Sequence, residues 1–331
     1  MNHALEGKRV LITGGLGYIG SETARQLARC GAHVHVLDNG SEGHEKAWEG
    51  PVSRIELEDR AKVLAQVPPG PWDAMIHFAA RCYVGESMRE PLRYWRANLS
   101  PLFNLLEALP NIPVVFSSTC ATFGLPRQAQ LDETHPQEPV NPYGATKLAA
   151  ERLLKDRDQA GQGQYAILRY FNAAGAAEGY GEDHRPETHL IPLAISAALG
   201  KREPLTVFGT DYDTPDGTCV RDYIHISDLA DAHLKALHWL LAERGSNDWN
   251  LGTGRGASVK EVLKAVEAGL GTPVPHTEGP RRPGDPPQLV ASPEKARSEL
   301  NWIPTYSHVE EIVKTAIQWH QEFPEGYDSK V

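Results

Sequence analysis

Residues 8–20 constrain this chain more than any other stretch: Lys-Arg-Val-Leu-Ile-Thr runs directly into Gly-Gly-Leu-Gly-Tyr-Ile-Gly. The apolar run reads as a short buried strand. The glycines end it at Thr13, and an Ala- and Leu-bearing helix follows over about 19–30. His-Val-His-Val-Leu-Asp (33–38) is the next strand. Strand, helix and strand in that order make a βαβ unit, which requires parallel pairing. Further strand candidates at 52–56, 73–78, 113–118 and 165–169 are mostly separated by helical stretches, notably about 91–109 and 143–158. This alternation predicts an α/β fold, a doubly wound parallel sheet of the Rossmann type.

After about residue 175 the rhythm changes. A Gly-, Glu- and His-bearing loop (175–188) precedes a helix at about 189–200, a short strand at 205–208 and a loop at 209–218. Two strand–helix pairs follow at 220–243 and 248–268, then a Pro-rich stretch over 272–287, a short helix and a terminal helix at about 308–322. The expected division is a first domain over 1–175 and a smaller, mixed α/β domain over 176–331, with parts of about 220–255 returning to the first sheet.

Composition narrows the classes. The chain has 331 residues, 40% hydrophobic and 23% charged, which is ordinary for a soluble globular protein. No apolar signal segment precedes the first strand, and no run approaches the ~18 apolar residues of a membrane span. The four cysteines (30, 82, 120 and 219) form no C-x-x-C pair, so reduced thiols in a cytoplasmic protein are expected. A net charge of −10 argues against nucleic acid as a partner, and means that any phosphate-bearing ligand needs clustered cations or helix N-termini. The 14 histidines show no compact metal-ligand spacing, so no metal site is expected.

The glycine loop lies where a nucleotide pyrophosphate binds, after a first strand and at a helix N-terminus with free N–H groups. It satisfies Gly-x-Gly-x-x-Gly through Gly15, Gly17 and Gly20, and a looser spacing through Gly14, Gly17 and Gly20. The second strand ends at Asp38, whose carboxylate can accept from an adenosine ribose and would repel a 2′-phosphate. These features point to a dinucleotide, NAD in preference to NADP. A second signal is Tyr143 and Lys147, four residues apart just past a proline and so on one face of a helix. A phenol is a poor base at neutral pH, since its ordinary pKa is about 10. A fixed cation, with an oxidised nicotinamide nearby, favours the phenolate. Chance alone supplies about half a Tyr-x-x-x-Lys in a chain this long, so the pair gains meaning only from its surroundings.

Those surroundings resemble the extended short-chain dehydrogenase/reductase family and, more closely and over nearly the whole chain, its UDP-sugar 4-epimerase branch. The resemblance is carried by Thr-Gly-Gly-Leu-Gly-Tyr-Ile-Gly (13–20), Ile-His-Phe-Ala-Ala (76–80), Val-Gly-Glu-Ser (84–87), Asn98, Phe-Ser-Ser-Thr (116–119), Tyr143 with Lys147, and Leu-Arg-Tyr-Phe-Asn (168–172). In the second half it continues through Asp-Gly-Thr-Cys-Val-Arg-Asp-Tyr-Ile-His (216–225), Asn-Leu-Gly-Thr-Gly (250–254) and Arg-Arg-Pro-Gly-Asp (281–285). It implies interconversion of UDP-galactose and UDP-glucose. The sugar is oxidised at C4, the 4-keto sugar rotates, and it is reduced from the opposite face with no net redox change.

The resemblance implies that Tyr143 takes the 4-hydroxyl proton, Lys147 holds the nicotinamide ribose and lowers the tyrosine pKa, and Thr119 hydrogen-bonds the sugar oxygen and the phenol. A drop of about three units corresponds to roughly 4 kcal/mol. Ser117 and Ser118 are expected to bind local backbone. The cofactor positions implied are Gly14, Gly17, Tyr18, Ile19, Gly20, Asp38, Asn39, Glu58 (or Asp59, the register being open), Phe78, Ala79, Ala80, Asn98, Tyr143, Lys147 and Phe171. The substrate positions are Thr119, Asn172, His189, Leu190, Thr206, Phe208, Arg221, Arg282, Asp285 and Leu289. Arg221 and Arg282 supply guanidinium forks for a diphosphate, Asp285 accepts from ribose, and Phe208 packs near uracil.

Departures qualify the resemblance. Related 4,6-dehydratases place Asp-Glu after the strand-end Thr, where this chain has Cys120-Ala121, which disfavours water elimination. Cys82 replaces a lysine of some members and leaves Arg81 as the nearby cation, and His189 replaces an asparagine. Leu289 stands where a bulky Tyr restricts the sugar pocket and a small residue admits N-acetyl groups. The helix at 91–109, apolar around much of its circumference, and the helix bearing Tyr143 imply a homodimer. The alternatives are an epimerase of another UDP-sugar (UDP-N-acetylhexosamine, UDP-glucuronate or UDP-pentose) and a non-catalytic NAD-binding protein.

Overall fold

A computed structural model describes residues 4–282 and 284–329, so Pro283 of the 281–285 motif lies outside the described residues. The chain opens with β1 (Arg9–Thr13), α1 (Tyr18–Arg29), β2 (His33–Asp38), β3 (Val52–Arg54), α2 (Arg60–Gln66) and β4 (Ala74–His77). It continues with α3 (Val84–Arg89), α4 (Pro91–Ala108), β5 (Val114–Thr119), α5 (Pro142–Gln159), β6 (Tyr165–Tyr170) and β7 (Asn172–Ala174). The later elements are α6 (Leu190–Ala198), β8 (Leu205–Phe208), β9 (Val220–His225), α7 (Ile226–Leu241), β10 (Asn247–Leu251) and β11 (Gly256–Ser258). Last come α8 (Val259–Leu270), β12 (His276–Gly279), β13 (Gln288–Leu289), α9 (Glu294–Glu299) and α10 (Val309–Glu322).

Seven strands form one sheet in the order β10-β6-β5-β4-β1-β2-β3, every pairing parallel. This is the doubly wound arrangement, with the order reversing between β1 and β4. Both faces are covered, so the strands read as continuous apolar runs. Along β1 the side chains alternate: Val10 and Ile12 join the core under α1 and α7, and Leu11 joins the core under α2, α4 and α5. A third core lies among α6, α8, α10, β8 and β9, around Ile191, Ile195, Val262, Val266 and Ile312. There β9 pairs with β7, β11 and β13, and β8 pairs with β12. The chain then re-enters the large sheet as β10, beside β6.

Three departures from the sequence reading have simple causes. The motif at 84–87 is part of the short helix α3. The Pro-rich stretch hides β12, whose His, Thr and Glu side chains are exposed and carry no apolar alternation. It forms because its backbone completes a parallel ladder with β8, from His276 opposite Leu205 to Gly279 opposite Phe208. The three-residue β7 is too short for any periodicity to show.

Candidate active site

The glycine loop packs between β1 and the end of β4. Gly14 has a positive φ of 68°, and a Cβ there would meet the Ala79 nitrogen at 2.7 Å. At Gly20 a Cβ would lie 2.3 Å from the Gly14 carbonyl oxygen, and at Gly15 it would strike Val36 at 2.5 Å. Gly17 caps α1 without any side-chain hydrogen bond, so the first-turn N–H groups of α1 are left for a ligand. This cradle fits a pyrophosphate. Asp38 closes it: its carboxylate accepts from Leu16 N at 3.0 Å and Gly40 N at 2.7 Å. Beside it, Asn39 donates to Glu56 at 3.0 Å. Asp59 is occupied as the N-cap of α2, accepting from Ala61 N and Lys62 N, so of the two acidic candidates Glu58 is the one outside that cap. Burial, followed by Glu56, pushes the Glu58 carboxyl up.

On the opposite wall, Tyr18 donates its hydroxyl to the Gly175 carbonyl, and Ile19 packs on the core under α1 and α7. Phe78 lies against His233, with ring centroids 4.7 Å apart. Ala79 N donates to the Thr13 hydroxyl at 3.3 Å, and Ala80 follows in the same half-buried turn. Asn98 is 2% exposed, and its amide is fully engaged in the fold: it accepts from Arg81 N at 2.8 Å and donates to Arg81 O at 3.1 Å and to Thr146 at 2.9 Å. It therefore braces the 79–82 turn against α5. Arg81 is itself paired with Glu42 and Glu86.

The catalytic candidates converge at the C-terminal end of β5. Asn141 caps α5 through Gly144 N at 2.8 Å, and Pro142 starts the helix, which fixes Tyr143 in its first turn. The Thr119 oxygen accepts from Ala121 N at 3.1 Å, so its proton is free to donate to the Tyr143 phenol, which that bond pulls toward ionisation. Lys147 is 3% exposed and donates to the Ser117 carbonyl at 2.8 Å. Burial lowers its pKa to about 8, against the pull of Cys82 and Glu151. The balance on Tyr143 differs from the simple pair picture. Burial pushes the phenol well up, Cys82 and Tyr170 add to that, and Thr119 opposes it.

Ser117 and Ser118 correct the expectation of local backbone binding. β6 and α5 bring side chains to both hydroxyls: Ser117 bonds the Tyr170 hydroxyl and Ser118 the Glu151 carboxylate. Glu151, one turn beyond Lys147, also holds Arg169 through bonds of 2.9 and 2.7 Å. The i+4 spacing from Lys147 is the signal that could have found it. Burial pushes the Cys120 thiol up to about 12, with Arg221 and Thr119 opposing, so it carries no useful acid–base function near neutral pH.

The substrate candidates assemble in pairs. Arg221 is ion-paired with Asp285, and the Arg282 guanidinium lies 4.2 Å from the centre of the Phe208 ring. Leu289 packs on the small core of Cys120, Phe123, Leu131 and Phe171, next to Thr119. Asn172 sits in β7 opposite Tyr223, and Thr206 is exposed in β8. His189 and Leu190 form the cap and first residue of α6. His189 also joins a group that the sequence reading did not single out: Glu182, His184, Glu187 and His189 bring one ligand atom each within 4.8 Å of one another.

Comparisons with known proteins point to one family. The chain is 49% identical over 326 residues to the UDP-glucose 4-epimerase of Rhizobium leguminosarum bv. trifolii, covering 96% of this chain and 98% of the relative. A crystal structure of UDP-glucose 4-epimerase from Brucella ovis in complex with NAD superposes with a TM-score of 0.90 at 45% identity, covering 94% and 98%. The UDP-Glc/GlcNAc 4-epimerase of Campylobacter jejuni superposes at 0.84 with 39% identity, covering 96% and 100%. The sequence model of the NAD dependent epimerase/dehydratase family matches residues 10–252, and the chain belongs to that family.

Proposed function

We propose that this enzyme interconverts UDP-galactose and UDP-glucose by transient oxidation at the sugar C4, using NAD. The observation that carries the reading is the convergence of Thr119, Tyr143 and Lys147 at the end of β5, across the sheet's switch point from the glycine cradle. Bound NAD supplies the hydride acceptor for the alcohol and, once reduced, the hydride donor for the ketone. The chain's own residues manage the proton. Tyr143 as phenolate takes the proton of the 4-hydroxyl as C4 becomes a carbonyl, and returns it to the oxygen when C4 is reduced on the other face. Thr119 donates its hydroxyl proton to the phenol oxygen, which favours the phenolate, and Lys147 contributes a buried positive charge one helical turn away on α5. Gly14, Gly17, Tyr18, Ile19 and Gly20 hold the pyrophosphate side of the cofactor, with Asp38, Asn39 and Glu58 at its adenosine end.

On the substrate side, the Phe208–Arg282 stack and the Arg221–Asp285 pair offer a flat apolar surface and guanidinium donors, which suits a uridine diphosphate. Residues 1–175 form the cofactor domain and 176–331 the substrate domain, with parts of about 220–255, α7 and β10 among them, returning to the cofactor sheet. No helix among the described residues is long and apolar enough to cross a membrane. Leu92, Trp95 and Phe103 expose an apolar stripe on α4, at 83%, 40% and 49%, beside α5; a homodimer covers it. Leu92→Glu with Phe103→Glu yields a monomer by light scattering in that case. The reaction itself is tested by a panel of UDP-sugars without added reductant. Efficient turnover of UDP-galactose supports the reading. Preference for UDP-N-acetylglucosamine or UDP-glucuronate replaces the substrate, and an NAD-loaded protein that turns over none refutes the reading.

A further inference from the structure

Between β7 and α6 the chain spends residues 175–189 largely without regular structure, and the end of that segment gathers Glu182, His184, Glu187 and His189. Both imidazoles turn the same atom inward. His184 Nδ1 lies 3.0 Å from a Glu182 oxygen and 3.8 Å from a Glu187 oxygen, and His189 Nδ1 lies 2.7 and 2.8 Å from oxygens of the same two carboxylates. The Glu182 side chain is only 6% exposed. Among the described residues no Lys or Arg forms an ion pair with Glu182 or Glu187, so the ion-pair partners of these two largely buried carboxylates are imidazoles. Such a pair needs positive charge among its members, which either protons on the imidazoles or one bound cation supplies.

We propose that Glu182, His184, Glu187 and His189 form a closed, four-coordinate site for one divalent transition-metal ion of the zinc class. Two imidazole nitrogens and two carboxylate oxygens are ligands that Zn²⁺ accepts, and four protein ligands leave no open position, the mark of a structural site. A tetrahedron with bonds of about 2.0–2.1 Å has edges of roughly 3.3 Å. The closest nitrogen–oxygen pairs, at 2.7 and 2.8 Å, therefore open by about half an ångström around the ion.

The surroundings hold the ligands in place. Trp319 donates its indole N–H to the Glu182 carbonyl at 3.1 Å, and Glu187 accepts from the backbone N–H groups of Thr188 and His189 at 2.6 and 2.7 Å. Tyr18 and Tyr83 each set a ring edge-on to His184 at 6.1 Å. Asp183, between two of the ligands, accepts from Arg185 and from Tyr327 N instead of joining them. The His189 side chain is 39% exposed, which leaves a path for the ion. The ion would tie the loop together ahead of α6, fixing the helix N-terminus where His189 and Leu190 stand.

The test uses the full-length protein, stripped with a chelator, dialysed against Zn²⁺ and measured for bound metal, with Co²⁺ as a spectroscopic probe. One tightly held zinc per chain, a zinc-dependent rise in Tm and the visible absorption of four-coordinate Co²⁺ are expected. His184→Gln and Glu187→Gln are each expected to weaken zinc binding by at least about 100-fold. His276→Gln, outside the cluster, leaves it unchanged. Circular dichroism separates a misfolded variant from a folded one that has lost its metal. Absence of stoichiometric zinc, or equal binding by wild type and both folded Gln variants, overturns the proposal and leaves a proton-held His–Glu cluster. The inference is independent of the proposed reaction: epimerisation without stoichiometric zinc defeats only the metal site, and zinc-loaded protein inert toward every UDP-sugar defeats only the reaction.

Discussion

Replacing Arg169 by Met removes one partner from a buried charge network directly beneath the catalytic candidates. Arg169 is 1% exposed and Glu151 0%. The guanidinium makes three charge-assisted bonds, two to Glu151 at 2.9 and 2.7 Å and one to Asp248 at 2.7 Å. Asp248 keeps Lys155 and Lys295 as partners, so Glu151 bears the loss. Stranding a buried carboxylate costs about 3–5 kcal/mol, a fall in Tm of roughly 8 °C at about 2 °C per kcal/mol for a chain of this size. Arg169→Met combined with Glu151→Leu removes both charges together with the Arg169 Nη1 group, which has no partner in the structure. That double variant still loses the acceptor of Ser118 and Gln137 and one partner of Asp248, so it should regain about half of the lost stability, roughly 2 kcal/mol. Urea unfolding followed by tryptophan fluorescence on wild type, both singles and the double closes the cycle. A single-variant cost under about 1 kcal/mol, or a double no more stable than the singles, would falsify this account of the network. Glu151 also helps keep Lys147 protonated, so in the Glu151→Leu enzyme the alkaline limb of the kcat profile moves to lower pH.

Acid sensitivity follows from His77, His225 and His233, which burial lowers to about 3, 4 and 4, with Lys147 also acting on His77. Their folded values lie below the unfolded one, so they are neutral in the folded protein and protonate on unfolding. Their stability contribution is present above about pH 6.5 and is lost as pH falls. His184 and His189, raised to about 10 and 11 by Glu182 and Glu187 acting against burial, offset this slightly by shedding protons only on unfolding near pH 6.5. Between pH 6.5 and 5, in chelator, stability should drop by about 4 kcal/mol, and a constant urea midpoint would contradict it. Gly20→Ala drives a Cβ to within 2.3 Å of the Gly14 carbonyl, so the purified protein should carry far less NAD, with affinity down at least tenfold, or about 1.4 kcal/mol; undiminished NAD content would refute the cradle. Leu289→Tyr fills space beside Cys120 and Phe171 and should cut kcat/KM for UDP-N-acetylglucosamine more than for UDP-galactose, and Leu289→Cys should do the reverse. Equal effects on both substrates would remove Leu289 from the sugar pocket.

The sequence made the large sheet visible because its strands are buried on both faces, as with Val10-Leu-Ile, and are set off by glycines and helices. What escaped was whatever depends on partners distant in the chain. β12 is polar and exposed, and exists only through its ladder to β8. Ser117 and Ser118 look like ordinary strand-end hydroxyls until β6 and α5 bring Tyr170 and Glu151 to them. Lys147 faces the same side of α5 as Tyr143 by spacing, yet its ammonium reaches the Ser117 carbonyl, a contact set by how α5 docks on β5. The Glu182–His189 group lies in a segment largely without regular structure, and only the folded loop turns its four side chains together. Among the substrate candidates, Arg221 with Asp285 and Phe208 with Arg282 lie far apart in sequence until β8, β9 and the 281–285 segment meet.

The central claim is that hydrogen leaves C4 as hydride and returns within one site while Tyr143 handles only the hydroxyl proton. Purified enzyme converting UDP-galactose in D₂O, followed by NMR, tests it most directly. UDP-glucose that retains protium at C4, with conversion nearly abolished in Tyr143→Phe, is the predicted result. Deuterium at C4 of the product, or a fully active Tyr143→Phe enzyme, would contradict it.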